Sequence, residues 1–273
     1  MLENLIRIDD PDVPIFRTFR FHYFRDVLRL QELALVSPSL WDDPFENFLL
    51  GCAINYMVEG KWQQVFFDRV RKHVYAQCWS MAAESDALWR IYSTVDKNPQ
   101  TLRTRTVDQE GVKVRTTPRK LLQALWTGSP SQPESTCFLG LVQYMSQQAA
   151  AQRAADEALK SGLNAFAGGV GHAEAMLIKR EPFQHEQEVR LVFVDDRRGF
   201  GTIPVMSIRI DPNSLFDEMV LDPRLHPDDV RERTDELRSL GFIGPVRQSD
   251  LYRRVLYEIV IPPELTASLK ASE

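Results

Sequence analysis

The apolar-rich Ile15-Phe-Arg-Thr-Phe19 predicts a short strand, with the polar Arg17 between apolar neighbours. Residues 23–33 then place Tyr23, Phe24, Val27, Leu28, Leu30 and Leu33 at helical spacing. Leu33-Ala-Leu-Val36 predicts a second strand. In the loop over residues 38–46, Asp43 can cap a helix and Pro44 fits its first turn. Val74–Ser80 predicts a strand, and residues 84–92 a short helix with Ala87, Leu88, Ile91 and Tyr92 towards a core. Gly111–Thr116 alternates as a strand, residues 118–126 form a helix opened by Thr117-Pro118, and residues 137–144 form another strand. Residues 147–163 are alanine-rich and polar, as in a long, largely solvated helix.

The last third is strand-rich. Residues 186–194, 203–210 and 218–221 have strand character, residues 228–240 form a helix ended by Gly241, and a final strand runs through residues 254–261. Mixed strands with helices bunched near the front predict one α+β domain over residues 1–273, its core at about 15–261, built on a mainly antiparallel sheet.

Composition narrows the class. The 273 residues carry 38 acidic and 33 basic side chains, a formal charge of −5, with 44% apolar residues. Disulfide-stapled, collagen-like, coiled-coil and disordered chains are excluded. No apolar stretch approaches the ~20 residues of a membrane helix. Met1-Leu-Glu-Asn-Leu-Ile-Arg has no cationic lead before an apolar block, so no secretory signal is expected. Cys52, Cys78 and Cys137 are odd in number and far apart, which suits a reducing cytoplasm and offers no zinc pattern.

The sharpest chemistry lies in Lys179-Arg-Glu-Pro-Phe-Gln-His-Glu-Gln-Glu-Val-Arg-Leu-Val-Phe193. Strand alternation points Glu186, Glu188 and Arg190 to one face, with Val189, Leu191 and Phe193 to the core. Paired carboxylates raise each other's pKa unless cations such as Arg190 or Lys179 compensate. Two readings are open: a surface charge ladder, or a fixed negative charge beneath a sugar carbon that turns oxocarbenium-like, with a second carboxylate as base. His185-Glu186 lacks the partner histidine of a zinc protease, so no metal is expected.

Other residues leave similar choices. Arg17 either snorkels at a sheet edge or binds an anion in a cleft, with Arg20 and His22 near enough to share the role. Trp79, Trp89 and Tyr92 are core aromatics or a flat platform for a nicotinamide ring or nucleobase. Cys78 reads as a buried strand cysteine before a nucleophile. Arg103, Arg105, Lys113, Arg115, Arg119 and Lys120 make residues 101–120 basic, either as a solvated hairpin or as a phosphate-facing surface. Gly168-Gly169-Val-Gly171 has no Lys-Ser/Thr after it and is no phosphate loop.

Several segments in order carry a resemblance. Ile15-Phe-Arg-Thr-Phe19, Leu40-Trp-Asp-Asp-Pro-Phe-Glu46, Gln77-Cys-Trp-Ser80, Ser85-Asp-Ala-Leu-Trp-Arg-Ile-Tyr-Ser93, Lys179-Arg180, Phe183-Gln-His-Glu-Gln-Glu-Val-Arg190, Asp222-Pro-Arg224 and Ser249-Asp-Leu-Tyr252 together resemble the bacterial domain-of-unknown-function 2971 family. More distantly, the order Arg17, Ser80, Glu186 and Glu188 is similar to the ADP-ribosyltransferase superfamily, although Met81-Ala82 replaces the Ser-Thr-Ser run. That similarity implies a split-sheet fold and NAD as co-substrate. It implies that Arg17 holds NAD phosphate or ribose and that Ser80 steadies the site. Glu188 would stabilise the cation as nicotinamide leaves, and Glu186 would polarise a nucleic-acid or protein acceptor, in a toxin or anti-phage setting. A nucleic-acid binding or processing protein and a non-enzymatic interaction module are the competing functions.

Overall fold

The computed structural model describes residues 2–41, 43, 46, 53–66, 74–128, 136–161, 168–195 and 204–262. Its regular elements run β1 (Leu5–Ile6), β2 (Ile15–Arg20), α1 (Phe21–Leu30), β3 (Glu32–Val36), β4 (Ala53–Val58), β5 (Lys61–Phe66), β6 (Val74–Ser80) and α2 (Asp86–Tyr92). There follow β7 (Gly111–Thr116), α3 (Pro118–Gly128), β8 (Cys137–Leu141), β9 (Gln143–Met145), α4 (Gln147–Ser161), α5 (Gly168–Ala175), β10 (Ile178–Arg180) and β11 (Glu188–Val194). The chain closes with β12 (Val205–Arg209), α6 (Pro212–Leu215), β13 (Glu218–Leu221), α7 (Pro227–Ser239) and β14 (Val246–Gln248).

Ten strands form one mixed, mainly antiparallel sheet in the order β1-β8-β11-β6-β2-β7-β13-β14, with β3 and β12 branching from β6. The fold is α+β, as the strand pattern predicts. Within the ten-stranded sheet β1 pairs β8 and β13 pairs β14 in parallel. Gly140 on β8 lets β1 come close: a Cβ there would lie 2.3 Å from Leu177 Cδ1 and 3.0 Å from Ile6 Cβ.

Helix α1 buries Phe21, Phe24, Val27 and Leu28, one stripe at helical spacing. It stops at Leu30, earlier than the periodicity suggests, because Gln31 turns left-handed (φ 54°) and feeds β3. Ser85 caps α2 by accepting from Leu88 N at 3.3 Å.

Core residues cover both faces of the sheet. Val189, Leu191 and Phe193 pack with Tyr75, Trp79, Leu33 and Leu35, whereas Val192 and Val194 pack with Val74, Ala76, Phe138, Met176 and Leu177. Every residue of β11 is buried. A surface charge ladder is therefore overturned: Glu188 and Arg190 are only 2% and 0% exposed.

Four sequence expectations change. The strand over 137–144 breaks at Val142, and its second half pairs β10 as β9. Residues 254–261 form no strand and are exposed, Leu256 at 94%. Glu186 lies outside β11, at the end of a 3-10 turn over Glu181–Glu186, because Gln187 is left-handed (φ 44°) and resets the alternation. On α2 the buried residue is Trp89, while Ala87, Ile91 and Tyr92, expected towards the core, are exposed. The expected helix opening at Asp43-Pro44 and the end of the helix over 147–163 extend outside the described residues.

Candidate active site

The sheet forks at β6. Ala76 registers with Val36 of β3, while Ser80, four residues on, registers with Phe16 of β2. A side-chain bond ties each branch to β6: Gln77 Nε2 donates to Ala34 O at 3.0 Å, and Arg17 Nη1 donates to Cys78 O. The fork opens into a cavity of about 810 Å³, whose lining includes Arg17, Ser80, Trp79, Trp89, Tyr92, Glu186 and Glu188. All seven candidate residues thus contribute to the lining, although the sequence spreads them over 172 positions, from 17 to 188.

Arg17 projects from the first long strand into this fork. Its Nε is buried without a hydrogen-bond partner, and no carboxylate pairs with it among the described residues. The guanidinium lies 4.9 Å from the centre of the Phe19 ring. Burial lowers its pKa, while the Cys78 thiol, the Tyr92 hydroxyl and Glu188 push it back up. A partly buried cation without an ion-pair partner is costly, so it favours an anionic ligand.

Opposite it stands a buried ionic cluster. Glu188 Oε1 accepts from Arg190 Nε at 2.7 Å, and Oε2 accepts from Arg190 Nη2 at 3.0 Å and Lys179 Nζ at 3.1 Å. Arg190 also reaches Glu46 Oε2 at 3.0 Å and Met176 O at 2.7 Å, under the Trp41 ring. Lys179 Nζ contacts Glu46 at 3.1 Å and Glu186 at 2.6 Å. Three carboxylates face two cations, which leaves the cluster one charge negative. Burial alone would raise the pKa of Glu188, but the charge and hydrogen bonds of Arg190, then Lys179, hold it down at about 2. The compensation anticipated for the paired carboxylates is thus in place. Burial dominates at Glu46 and raises its pKa.

Ser80 does not touch a carboxylate. Its Oγ donates to Glu186 O at 2.6 Å and accepts from Ala82 N at 3.0 Å, while Met81 N donates to Gln187 O at 2.9 Å. These bonds tie the end of β6 to the turn that carries Glu186.

The aromatics separate. Trp79 belongs to the main core, on the sheet face opposite Glu188, with its Nε1 bonded to Gln77 Oε1 at 3.0 Å. Its ring is not placed as a platform. Trp89 is 2% exposed, donates to Glu84 Oε1 at 2.6 Å and lies 5.2 Å from Lys113 Nζ. Only Tyr92 of the three stands open, at 40% exposure. Burial of its hydroxyl end, with Cys78 and Glu186 nearby, pushes its pKa up to about 12. Burial and the Glu188 carboxylate raise the Cys78 thiol well above its ordinary value, so it is no thiolate nucleophile.

Three residues of the cluster escape the sequence reading as site residues. Glu46 ends the Trp41–Glu46 segment, and its ordered place among the resemblance motifs is the available signal. Lys179 and Arg190 are read there only as compensating cations. The remaining motifs brace the site: Ser93 Oγ donates to buried Asp222 at 2.6 Å, which Arg224 clasps, and Ser249 Oγ donates to Glu84 at 2.8 Å.

Five of the six basic residues of the stretch over 101–120 are ion-paired, whereas Arg105 is exposed with no ion pair among the described residues. Arg103 pairs with Asp229 and Glu232, Lys113 with Glu84, Arg115 with Asp217 and Glu218, Arg119 with Asp12 and Lys120 with Asp217. The stretch is not a hairpin, since it spans a 3-10 turn, β7 and the start of α3. Among the described residues no group of three or more His, Cys, Asp or Glu is placed to hold a metal ion, and no helix is long and apolar enough to cross a membrane.

No family model matches the chain, and no curated protein matches it. Among solved structures it is similar to Thermus sp. 2.9 DarT in complex with ADP-ribosylated ssDNA, at 10% identity and a TM-score of 0.39, covering 89% of this chain and 97% of that one. It is also similar to the same protein in complex with NAD+, at 10% identity and a TM-score of 0.37, covering 88% and 96%.

Proposed function

We propose that the chain is an ADP-ribosyl-transferring enzyme that uses NAD as co-substrate and modifies a macromolecular acceptor. One observation carries this reading: Arg17, which pairs with no carboxylate among the described residues, and a buried ionised carboxylate, Glu188, line the same cavity. The cation suits the diphosphate of a dinucleotide. The carboxylate suits the positive charge that spreads over the ribose as the bond to nicotinamide breaks. Nicotinamide leaves with the bonding electrons, and an acceptor nucleophile forms the new bond to the same carbon. Glu186, at the mouth of the cluster, takes the acceptor's proton. Ser80 holds the backbone beneath Glu186, and Tyr92 offers the accessible ring for stacking.

The convergence of the quoted motifs on one cavity and its braces supports placing the chain beside the bacterial domain-of-unknown-function 2971 family. The cytoplasm is the proposed setting, with a toxin or anti-phage role. The decisive assay follows nicotinamide by mass spectrometry, with NAD and protein, RNA or single-stranded DNA acceptors. Wild type should release nicotinamide and Glu188→Gln should not; no release by folded wild type with any acceptor would overturn the reading. Growth arrest on expression, relieved by Glu188→Gln, is the expected sign of a toxin.

A further inference from the structure

We infer that Lys179 is a positioning residue: its ammonium locks the carboxylates of Glu186 and Glu188 into one unit and supplies the charge that balances them. This rests on the reading of the cavity as an ADP-ribosyl-transfer site. An ammonium has three N–H donors. Lys179 has a carboxylate for each, Glu186 at 2.6 Å, Glu188 at 3.1 Å and Glu46 at 3.1 Å. Its side chain is 8% exposed, with Nζ 4.8 Å from the centre of the Phe183 ring.

Arg190 cannot do the same job. Its guanidinium is committed to Glu188, Glu46 and Met176 O, and no bond joins it to Glu186 among the described residues. Lys179 reaches the cluster from β10, which pairs with β9 outside the ten-stranded sheet. Its register partner Tyr144 accepts from Glu188 N at 2.7 Å. The β9–β10 pair therefore holds the start of β11 by both backbone and side chain.

The groups facing Glu188 define what removal of Lys179 leaves. They are Arg190 from β11, Cys78 from β6, Arg17 from β2, Tyr92 from α2, Tyr144 from β9, and the carboxylates of Glu46 and Glu186. Without Lys179, three carboxylates would share Arg190 as the one cation that pairs with them. Repulsion would turn Glu186 outwards and let Glu188 take up a proton at higher pH.

The test compares wild type, Lys179→Met and Lys179→Arg by nicotinamide release against pH and by NMR titration of 13C-labelled glutamate carboxyls, with Glu188→Gln to assign the signal. Lys179→Met is expected to move both the acid limb and the Glu188 titration upwards by roughly 1–3 pH units. Lys179→Arg, which keeps the charge, should restore most of that shift and gives a folded comparison should Lys179→Met fail to fold. A Glu188 titration unchanged in Lys179→Met, or an Arg variant shifted as far as expected for Met, would overturn the inference. Absence of nicotinamide release from wild type would instead overturn the enzymatic reading, and the carboxyl titration would still decide the role of Lys179.

Discussion

Ser80 stands directly opposite Glu188 across β6 and β11, yet its hydroxyl serves the backbone of Glu186 rather than either carboxylate. The serine therefore fixes where the Glu186 turn leaves the sheet. Ser80→Ala removes a donor to Glu186 O and an acceptor for Ala82 N at an 8% exposed site. It should cost about 1–3 kcal/mol, read as a lower urea midpoint. The expected kinetic signature is a fall in kcat with the pH of the Glu188 limb unchanged.

Arg190→Met strips the guanidinium from beneath Glu188 and Glu46 and from Met176 O, at a site with no solvent to replace it. Breaking one side of a buried charge network costs about 3–5 kcal/mol. Equilibrium denaturation should show that loss. Arg190→Lys should recover only part of it, because a point charge cannot bond two oxygens of one carboxylate as the fork does.

Stability should fall in acid through Glu188. Its folded pKa, about 2, lies below the ordinary value of 4.5, so the folded state holds the carboxylate charged where the unfolded chain has begun to protonate. The contribution is fully present above pH ~4.5 and disappears as pH drops towards ~2, amounting to about 3 kcal/mol. The stability gap between wild type and Glu188→Gln should narrow over that range. A constant gap from pH 6 to pH 2.5 would contradict the assignment.

Arg17→Met should separate binding from stability. The side chain gives up one hydrogen bond to Cys78 O and a ring contact, but also a partly buried cation that forms no ion pair among the described residues. Its melting temperature should stay level or rise. NAD affinity by calorimetry should weaken roughly 10- to 100-fold, the worth of a charged hydrogen bond.

Periodicity carried much of this structure. Val74–Ser80, Gly111–Thr116 and Glu218–Leu221 match β6, β7 and β13 end to end, because each is long enough to show its period and has a clear apolar face. The two residues of β1 and the three each of β10 and β14 are too short to show one. Residues 254–261 show the converse: β-branched residues without a neighbouring strand do not make a sheet. The same distinction governs the site. Glu188 and Arg190 could be placed on a common face by alternation, but Glu46 and Asp229 are brought to their partners by folding alone, across 144 and 126 residues. Spacing cannot reveal that most of the basic stretch is ion-paired or that, among the described residues, Arg17 is not.

The branching of the sheet at β6 makes that strand a shared spine for two wings, β3–β12 on one side and β2–β7–β13–β14 on the other. A side-chain bond ties each wing to this spine, Gln77 of β6 to Ala34 of β3 and Arg17 of β2 to Cys78 of β6. A ligand seated in the gap between the wings acts as a wedge that engages both at once. Occupancy should therefore slow amide exchange in β2 and β3 together, so the spread of protection across the wings reports the bound state independently of any turnover.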